Sequence, residues 1–227
     1  MKFGIQIIIM LILTSFVYSE KAYSNTFNRN SIKEDLTEIL SDIKNSYVYL
    51  EKKKIDLQCI KDKYTKKIDM IKSRDESILF FGKILNEFYD NHIHLNIAVY
   101  DSYRLSSPIY VHNKKEKTII TSVWQSQIQN LNENIIGAEI LNFNQQEFSK
   151  NIDQFKMECA DKNDPVVREW VSNKILSGRY GQPRILELKL LSGKKIQLNI
   201  DELKLKKHDT LLSFHKTNDV GVIRIND

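Results

Sequence analysis

Hydrophobic residues recur at intervals of three and four positions through residues 31–92, the spacing that places side chains on one face of an α-helix. Three amphipathic helices are predicted, beginning near Ser31, Asp56 and Asp75, with lysines on their opposite faces. Ser31 and Glu34 have the spacing of a capping box, in which each side chain satisfies the other residue's free backbone amide. The pattern therefore predicts an N-terminal helical bundle over this range.

Beyond Asp90 the pattern changes to alternating hydrophobic and polar positions rich in β-branched and aromatic residues, which is typical of strands. Asp164 followed by Pro165 predicts a helix start, with the aspartate as cap and the proline in the first turn. The predicted strands cover residues 93–100, 117–124, 134–143, 184–191 and 194–200, and the predicted helices cover residues 145–155 and 165–176. The sequence thus predicts an α+β fold, with a helical bundle followed by a β-rich domain over residues 93–215.

The last predicted strand, residues 220–225, is hydrophobic at nearly every position. Such a strand is typical of a parallel sheet whose two faces are both covered. An apolar strand of this kind that lacks neighbours promotes aggregation. Residues 219–227 therefore either pair with an element that is already built or form the first strand of a further sheet whose remaining strands are missing from the sequence.

The composition supports a folded protein and excludes several classes. Of the 227 residues, 41% are hydrophobic and 28% are charged, which is enough apolar material for one large domain or two small ones. Seven glycines and three prolines exclude collagen-like and proline-rich chains. The formal charge of +5 arises from basic residues interleaved with acidic ones, whereas nucleic-acid binders concentrate theirs on one face. We therefore expect no nucleic-acid partner, and the sequence gives no basis for an oligomeric state.

Residues 1–24 have the pattern of a secretory signal peptide, with Lys2 before an apolar run and small residues at two possible cleavage sites. The run is shorter than the roughly 20 residues of a membrane span, so contact with a membrane is expected only if the segment stays uncleaved. A secreted or periplasmic location is predicted. That compartment permits a disulfide between Cys59 and Cys159, although the sequence leaves their pairing open.

His92 and His94 are the candidate chemical residues, because two positions apart on an extended chain their side chains share a face. Three interpretations stay open from spacing alone. The pair could bind zinc, one histidine could be a general base, or both could be ordinary residues of a polar turn, which the spacing favours. No nucleophile motif, glycine-rich phosphate loop or calcium loop is present, so we expect no cofactor and no metal.

Four stretches of residues 31–227 together resemble the tail-specific (C-terminal processing) serine peptidases, including their tricorn-core and retinoid-binding relatives. Residues 42–57 resemble that family's opening helix and tyrosine-rich turn, and LNEFYDNHIHL at 85–95 resembles its "leucine, Asp-x-His, apolar" junction. IGAEILNF at 136–143 resembles the core of a bacterial PDZ-like domain, and NDVGVIRIND at 218–227 resembles the strand that opens the catalytic core.

The resemblance implies that residues 93–215 form a PDZ-like domain, that His92 is the catalytic base, and that the substrates are peptides or proteins. In the family the serine nucleophile and its Lys or Glu partner lie downstream of the opening core strand. We therefore expect the chain to be inactive as written, as the N-terminal portion of an exported peptidase. Asn144 stands where the family turn often has glycine, and no Gly-Leu-Gly-Phe carboxylate loop is present.

Two alternatives to a peptidase portion remain. The chain could be a secreted PDZ-like module that binds extended peptides by strand addition, without catalysis. It could also be a secreted α+β domain that has no site. The apolar strand at residues 220–225 favours the peptidase interpretation over both.

Overall fold

The computed structural model describes residues 28–124, 128–205, 212–217 and 220–225. It confirms the α+β class, because a group of helices precedes a domain built on an antiparallel sheet. The helices are α1 Arg29–Ser46, α2 Leu57–Thr65, α3 Arg74–Asn86, α4 Phe148–Gln154 and α5 Pro165–Ser177, with 3-10 turns at Ile68–Met70 and Ile200–Glu202. The strands are β1 Ile109–Lys114, β2 Lys117–Val123, β3 Glu139–Phe143, β4 Gln146–Glu147, β5 Ile185–Lys189, β6 Lys195–Asn199, β7 Leu212–Thr217 and β8 Val220–Ile225. Within the described residues, no helix has the length and apolar character needed to cross a bilayer.

The helical unit is α1 to α3, packed around its own hydrophobic core. The helix predicted to begin near Asp56 is α2, and Asp56 caps it by accepting a hydrogen bond from the backbone N–H of Cys59 at 2.8 Å. The predicted capping box at Ser31 is wrong. Asn28 is the cap of α1 and accepts from the N–H of Asn30, because the helix begins earlier and includes Ser31. The core comprises Ile32, Leu36, Leu40, Ile60, Tyr64, Ile68, Ile71, Phe80, Phe81, Ile84, Leu85 and Phe88.

The β domain is an antiparallel sheet in the order β1-β2-β3-β5-β6, with the short β4 paired to β3. Helices α4 and α5 bury Phe148, Ile152 and Val171 in a core shared with the sheet. The predicted hairpin is confirmed as β5 and β6, and Asp164 caps α5 through the N–H groups of Val166 and Val167. The second hydrophobic core therefore belongs to the β domain.

The predicted strand at residues 93–100 does not form. This segment is irregular, and Ile93 and Leu95 pack against the helical core. These two side chains therefore cover the helical unit, and the segment does not join the sheet. Strand β1 lies in a stretch for which no element was predicted.

Two other predicted elements are shorter in the structure. The strand predicted at 134–143 is confined to β3, because Gly137 has a φ of +85° that interrupts extended backbone. The helix predicted at 145–155 begins only at α4, since Asn144 and Gln145 have φ values of 50° and 66° and form a turn between β3 and β4. Asparagine tolerates this left-handed conformation better than most residues, which explains its presence where the resembling family has glycine.

A buried carboxylate and a disulfide join the two units. Glu87, at the end of α3, is 1% exposed and accepts hydrogen bonds from the backbone N–H groups of Glu158, Cys159 and Ala160 at 2.7, 3.1 and 3.0 Å. The adjacent Cys159 forms a disulfide with Cys59 of α2. Three amides stabilise the buried charge, so this junction fixes the helical unit against the loop between α4 and α5.

The hairpin of β7 and β8 stands apart from both cores. The predicted strand at 220–225 is confirmed as β8, but it pairs antiparallel with β7 and is not buried. Phe214, Val220 and Ile223 are 69, 63 and 70% exposed. The predicted signal peptide at residues 1–24 lies outside the described residues.

Candidate functional site

The loop that follows α3 places Asp90 against the helical unit. Phe88 is fully buried at the end of the helix, and Tyr89 has a φ of 36°, which turns the chain sharply. The Asp90 side chain is only 9% exposed. Its Oδ2 atom accepts hydrogen bonds from the Tyr47 hydroxyl at 2.5 Å and from the Lys53 ammonium at 3.1 Å. The carboxylate is therefore held by two donors from the end of α1 and the turn after it.

His92 is held by the other oxygen of the same carboxylate. Asp90 Oδ1 lies 2.9 Å from the His92 backbone nitrogen and 3.0 Å from its Nδ1 atom. The imidazole is otherwise open to solvent, with 96% of the side chain exposed. In the tautomer that donates Nδ1–H to Asp90, Nε2 is a free proton acceptor. This is the arrangement by which a carboxylate orients a histidine as a general base.

The charges of the loop are fixed by its hydrogen bonds. Burial by itself would raise the pKa of Asp90, but hydrogen bonds from Tyr47, His92 and Lys53 hold the pKa well below its ordinary value. Burial and the hydrogen bond to Asp90 raise the pKa of the Tyr47 hydroxyl above its ordinary range. At neutral pH the carboxylate is therefore an ionised acceptor and the tyrosine a protonated donor.

Tyr47 and Lys53 were not singled out as site residues from the sequence. They lie 43 and 37 positions before Asp90, so their contacts depend on how the helices pack. Lys53 also donates to the backbone carbonyls of Phe88 and Tyr89, at 3.2 and 3.0 Å. The one feature of the sequence that could have pointed to these two residues is their position in residues 42–57, one of the stretches on which the family resemblance rests.

His94 lies near His92 but belongs to a different set of contacts. The strand assumed for the pair is absent, and His94 Nδ1 lies 3.3 Å from the carbonyl oxygen of Asn91. His112 lies on β1 and pairs with Glu169 of α5. In the part of the chain that the structure describes, no group of three or more His, Cys, Asp or Glu side chains is placed to hold a metal ion.

Strand β1 lies at one edge of the sheet, where a bound peptide could pair as an additional strand. Helix α5 lies beside this edge. Asn173 Oδ1 accepts a hydrogen bond from the Val111 N–H, and Asn173 Nδ2 donates one to the Val111 carbonyl, both at 3.0 Å. A peptide strand pairing with β1 would have to displace this amide. The edge is therefore occupied at its centre by the protein's own side chain.

Comparisons with known proteins connect the helical unit to a protease. Residues 28–86 match the family model of the tricorn protease C1 domain, and the match ends just before the loop that carries Asp90. A search of curated proteins gives no significant match. The helical unit is thus similar to a domain of tricorn-type proteases, and this match does not single out the tail-specific peptidases.

Among solved structures, those of mature CPAF are similar in part. One has a TM-score of 0.47 at 9% identity and covers 78% of this chain and 34% of its own. Another, mature CPAF complexed with lactacystin, has a TM-score of 0.48 at 10% identity and covers 78% of this chain and 35% of its own. The chain therefore spans about a third of the length of the structures it matches.

Proposed function

We propose that the chain forms the N-terminal part of an exported serine-type peptidase of the tail-specific (C-terminal processing) family, acting on peptide or protein substrates. The observation that carries the proposal is the Asp90–His92 pair, which follows directly after a segment matching a tricorn protease domain. The motifs at residues 136–143 and 218–227 support the finer family assignment. The signal-peptide pattern of residues 1–24 supports a secreted or periplasmic location.

In the proposed mechanism His92 is the general base. Its Nε2 atom takes the proton of a serine hydroxyl as the serine oxygen attacks the peptide carbonyl, and later returns that proton to the leaving amine. Asp90 keeps the imidazole oriented through Nδ1 and stabilises the imidazolium that forms. Tyr47 and Lys53 hold the carboxylate in place. The serine is expected from sequence downstream of β8, as in the family that the chain resembles.

A non-catalytic module that binds peptides by strand addition is the alternative that we disfavour. The β1 edge lies beside α5, but Asn173 already bonds both backbone groups of Val111. The exposed apolar side chains of the β7–β8 hairpin favour a role as the beginning of a larger packed core.

The test is a comparison of His92→Ala with His94→Ala in the complete gene product that contains this segment. Hydrolysis of fluorogenic peptides and labelling by a fluorophosphonate are measured. His92→Ala should lower kcat by roughly 10^4-fold or more and abolish labelling, because the serine loses its base. His94→Ala should retain both. The 227-residue chain alone should show neither activity nor labelling.

Because the His92 side chain is almost fully exposed, its removal should leave the thermal unfolding of the protein unchanged. Full activity of the His92→Ala variant would show that another residue is the base. Absence of both hydrolysis and labelling in the complete gene product would overturn the peptidase proposal.

A further inference from the structure

A cavity of about 370 Å³ lies between the helical unit and the β domain. Its walls are formed by α3, residues 93–105 and the C-terminal ends of α4 and α5. Much of this wall is apolar, with Ile78, Leu79, Leu95, Leu105 and Phe155 among the lining residues. The volume is at the lower end of the range for small-molecule sites, which is roughly 300–1,000 Å³. The space therefore fits a small organic molecule.

The charge of the cavity is one-sided. Four cationic side chains line it, Lys83, Lys156, Lys174 and Arg179, whereas Asp101 is the single carboxylate among the described lining residues. That carboxylate already accepts a hydrogen bond from a glutamine amide at 2.5 Å. Within the described part of the chain, none of the four cations forms an ion pair with an acidic side chain. The Glu158 carboxylate interacts electrostatically with Lys83 and Lys156, so the excess of positive charge lies mainly at Lys174 and Arg179.

The cations are also close to one another, and Lys174 is partly buried, whereas Lys83, Lys156 and Arg179 are exposed. The Lys174 ammonium lies 5.7 Å and the Arg179 guanidinium 4.8 Å from the centre of the Tyr103 ring. Burial lowers the pKa of Lys174 to about 8. Burial, together with the charges of Arg179 and Lys156, lowers the pKa of Lys83. A bound anion would offset the repulsion between the cations and the loss of hydration at Lys174.

We infer that this cavity binds a small amphiphilic carboxylate, with its anionic head near Lys174 and Arg179 and its hydrocarbon chain along the apolar wall. The inference does not depend on the proposed peptidase function. The other explanation of the lysines is that their stems cover apolar surface while their ammonium groups reach solvent. In that case neither the charge nor the chain of a ligand would be recognised.

The experiment titrates the 227-residue chain with octanoate, acetate and octan-1-ol by calorimetry and by NMR of the tyrosine rings. Octanoate should bind at least tenfold more tightly than acetate, which lacks the chain, and than octan-1-ol, which lacks the charge. Octanoate should also shift the Tyr103 resonances. Lys174→Met keeps most of the stem but removes the charge, and should weaken octanoate binding by roughly tenfold to a hundredfold.

The matched control is Lys194→Met, because Lys194 is an exposed lysine that pairs with Glu133 at 2.6 Å on the distant β5–β6 hairpin. It should bind octanoate as the parent does. Thermal unfolding of both variants confirms that they are folded. Equal binding of octanoate and octan-1-ol, no binding of octanoate at millimolar concentration, or unchanged binding by a folded Lys174→Met variant would each overturn the inference.

Discussion

Asp90 links the structure of the helical unit to the geometry of the candidate base. One oxygen of its carboxylate accepts from Tyr47 and Lys53, and the other accepts from the backbone and ring of His92. The same side chain therefore stabilises the packing of the α1–α2 turn and orients the imidazole. A change in its charge should affect both stability and the position of His92.

The pH dependence of stability tests this role of Asp90. Its folded pKa lies below the ordinary value of 3.8, so the native state binds fewer protons than the unfolded state. Its contribution is thus fully present above about pH 4 and is lost as the pH falls through the folded pKa. Asp90→Asn should lower the free energy of unfolding at pH 7 by roughly 1–3 kcal/mol. The difference should narrow between pH 4 and pH 2, as measured by urea unfolding.

The control for that measurement is Asp42→Asn, which removes an exposed carboxylate of α1. Its unfolding free energy should follow that of the parent across the same pH range. A constant difference between parent and Asp90→Asn from pH 7 to pH 2 would show that the charge of Asp90 does not stabilise the native state.

At the scale of elements, the helices were predicted well because burial imposes a clear period on them. Ile78, Phe81 and Leu85 were predicted to face inward on α3, and all three are buried. The cap Asp164 was also predicted, since it directly precedes Pro165 at the start of α5, and it accepts from the N–H groups of Val166 and Val167.

Alternation was a weaker signal than helical period. Hydrophobic and polar side chains alternate in residues 93–100 as they would in a strand, but Ile93 and Leu95 pack against the helical core. Tertiary packing thus overrides strand propensity there. For the candidate site, the family resemblance selected His92, whereas Tyr47 and Lys53 act over distances in sequence that no local pattern encodes.

The start of α1 offers a direct test of the corrected cap. Asn28→Ala should destabilise the protein by about 0.5–2 kcal/mol, because the side chain that accepts from the Asn30 N–H is lost. Ser31→Ala, within the helix, should change stability by less than about 0.5 kcal/mol. Both are measured by urea unfolding followed by circular dichroism. A larger cost for Ser31→Ala than for Asn28→Ala would restore the capping box predicted from the sequence.

At the scale of the whole molecule, the functional candidates lie where the two units meet. The Glu87 carboxylate and the Cys59–Cys159 disulfide fix this junction. The Asp90 loop follows the same end of α3, and the cationic cavity has walls from both units. The relative position of the units is therefore a condition for the cavity, whereas the contacts of Asp90 with Tyr47 and Lys53 lie within the helical unit.

The β7–β8 hairpin is different, because none of its described residues belongs to either hydrophobic core. Deleting residues 206–227 should therefore shift the melting temperature by less than about 2 °C, which corresponds to at most about 0.5–1 kcal/mol for a chain of this size. Solubility should rise, because Phe214, Val220 and Ile223 no longer expose apolar surface. Calorimetry and light scattering of the parent and the deletion variant measure the two effects. Loss of cooperative unfolding would show instead that the hairpin stabilises the native fold. Its exposed apolar side chains would then no longer support the existence of a larger core that includes the hairpin.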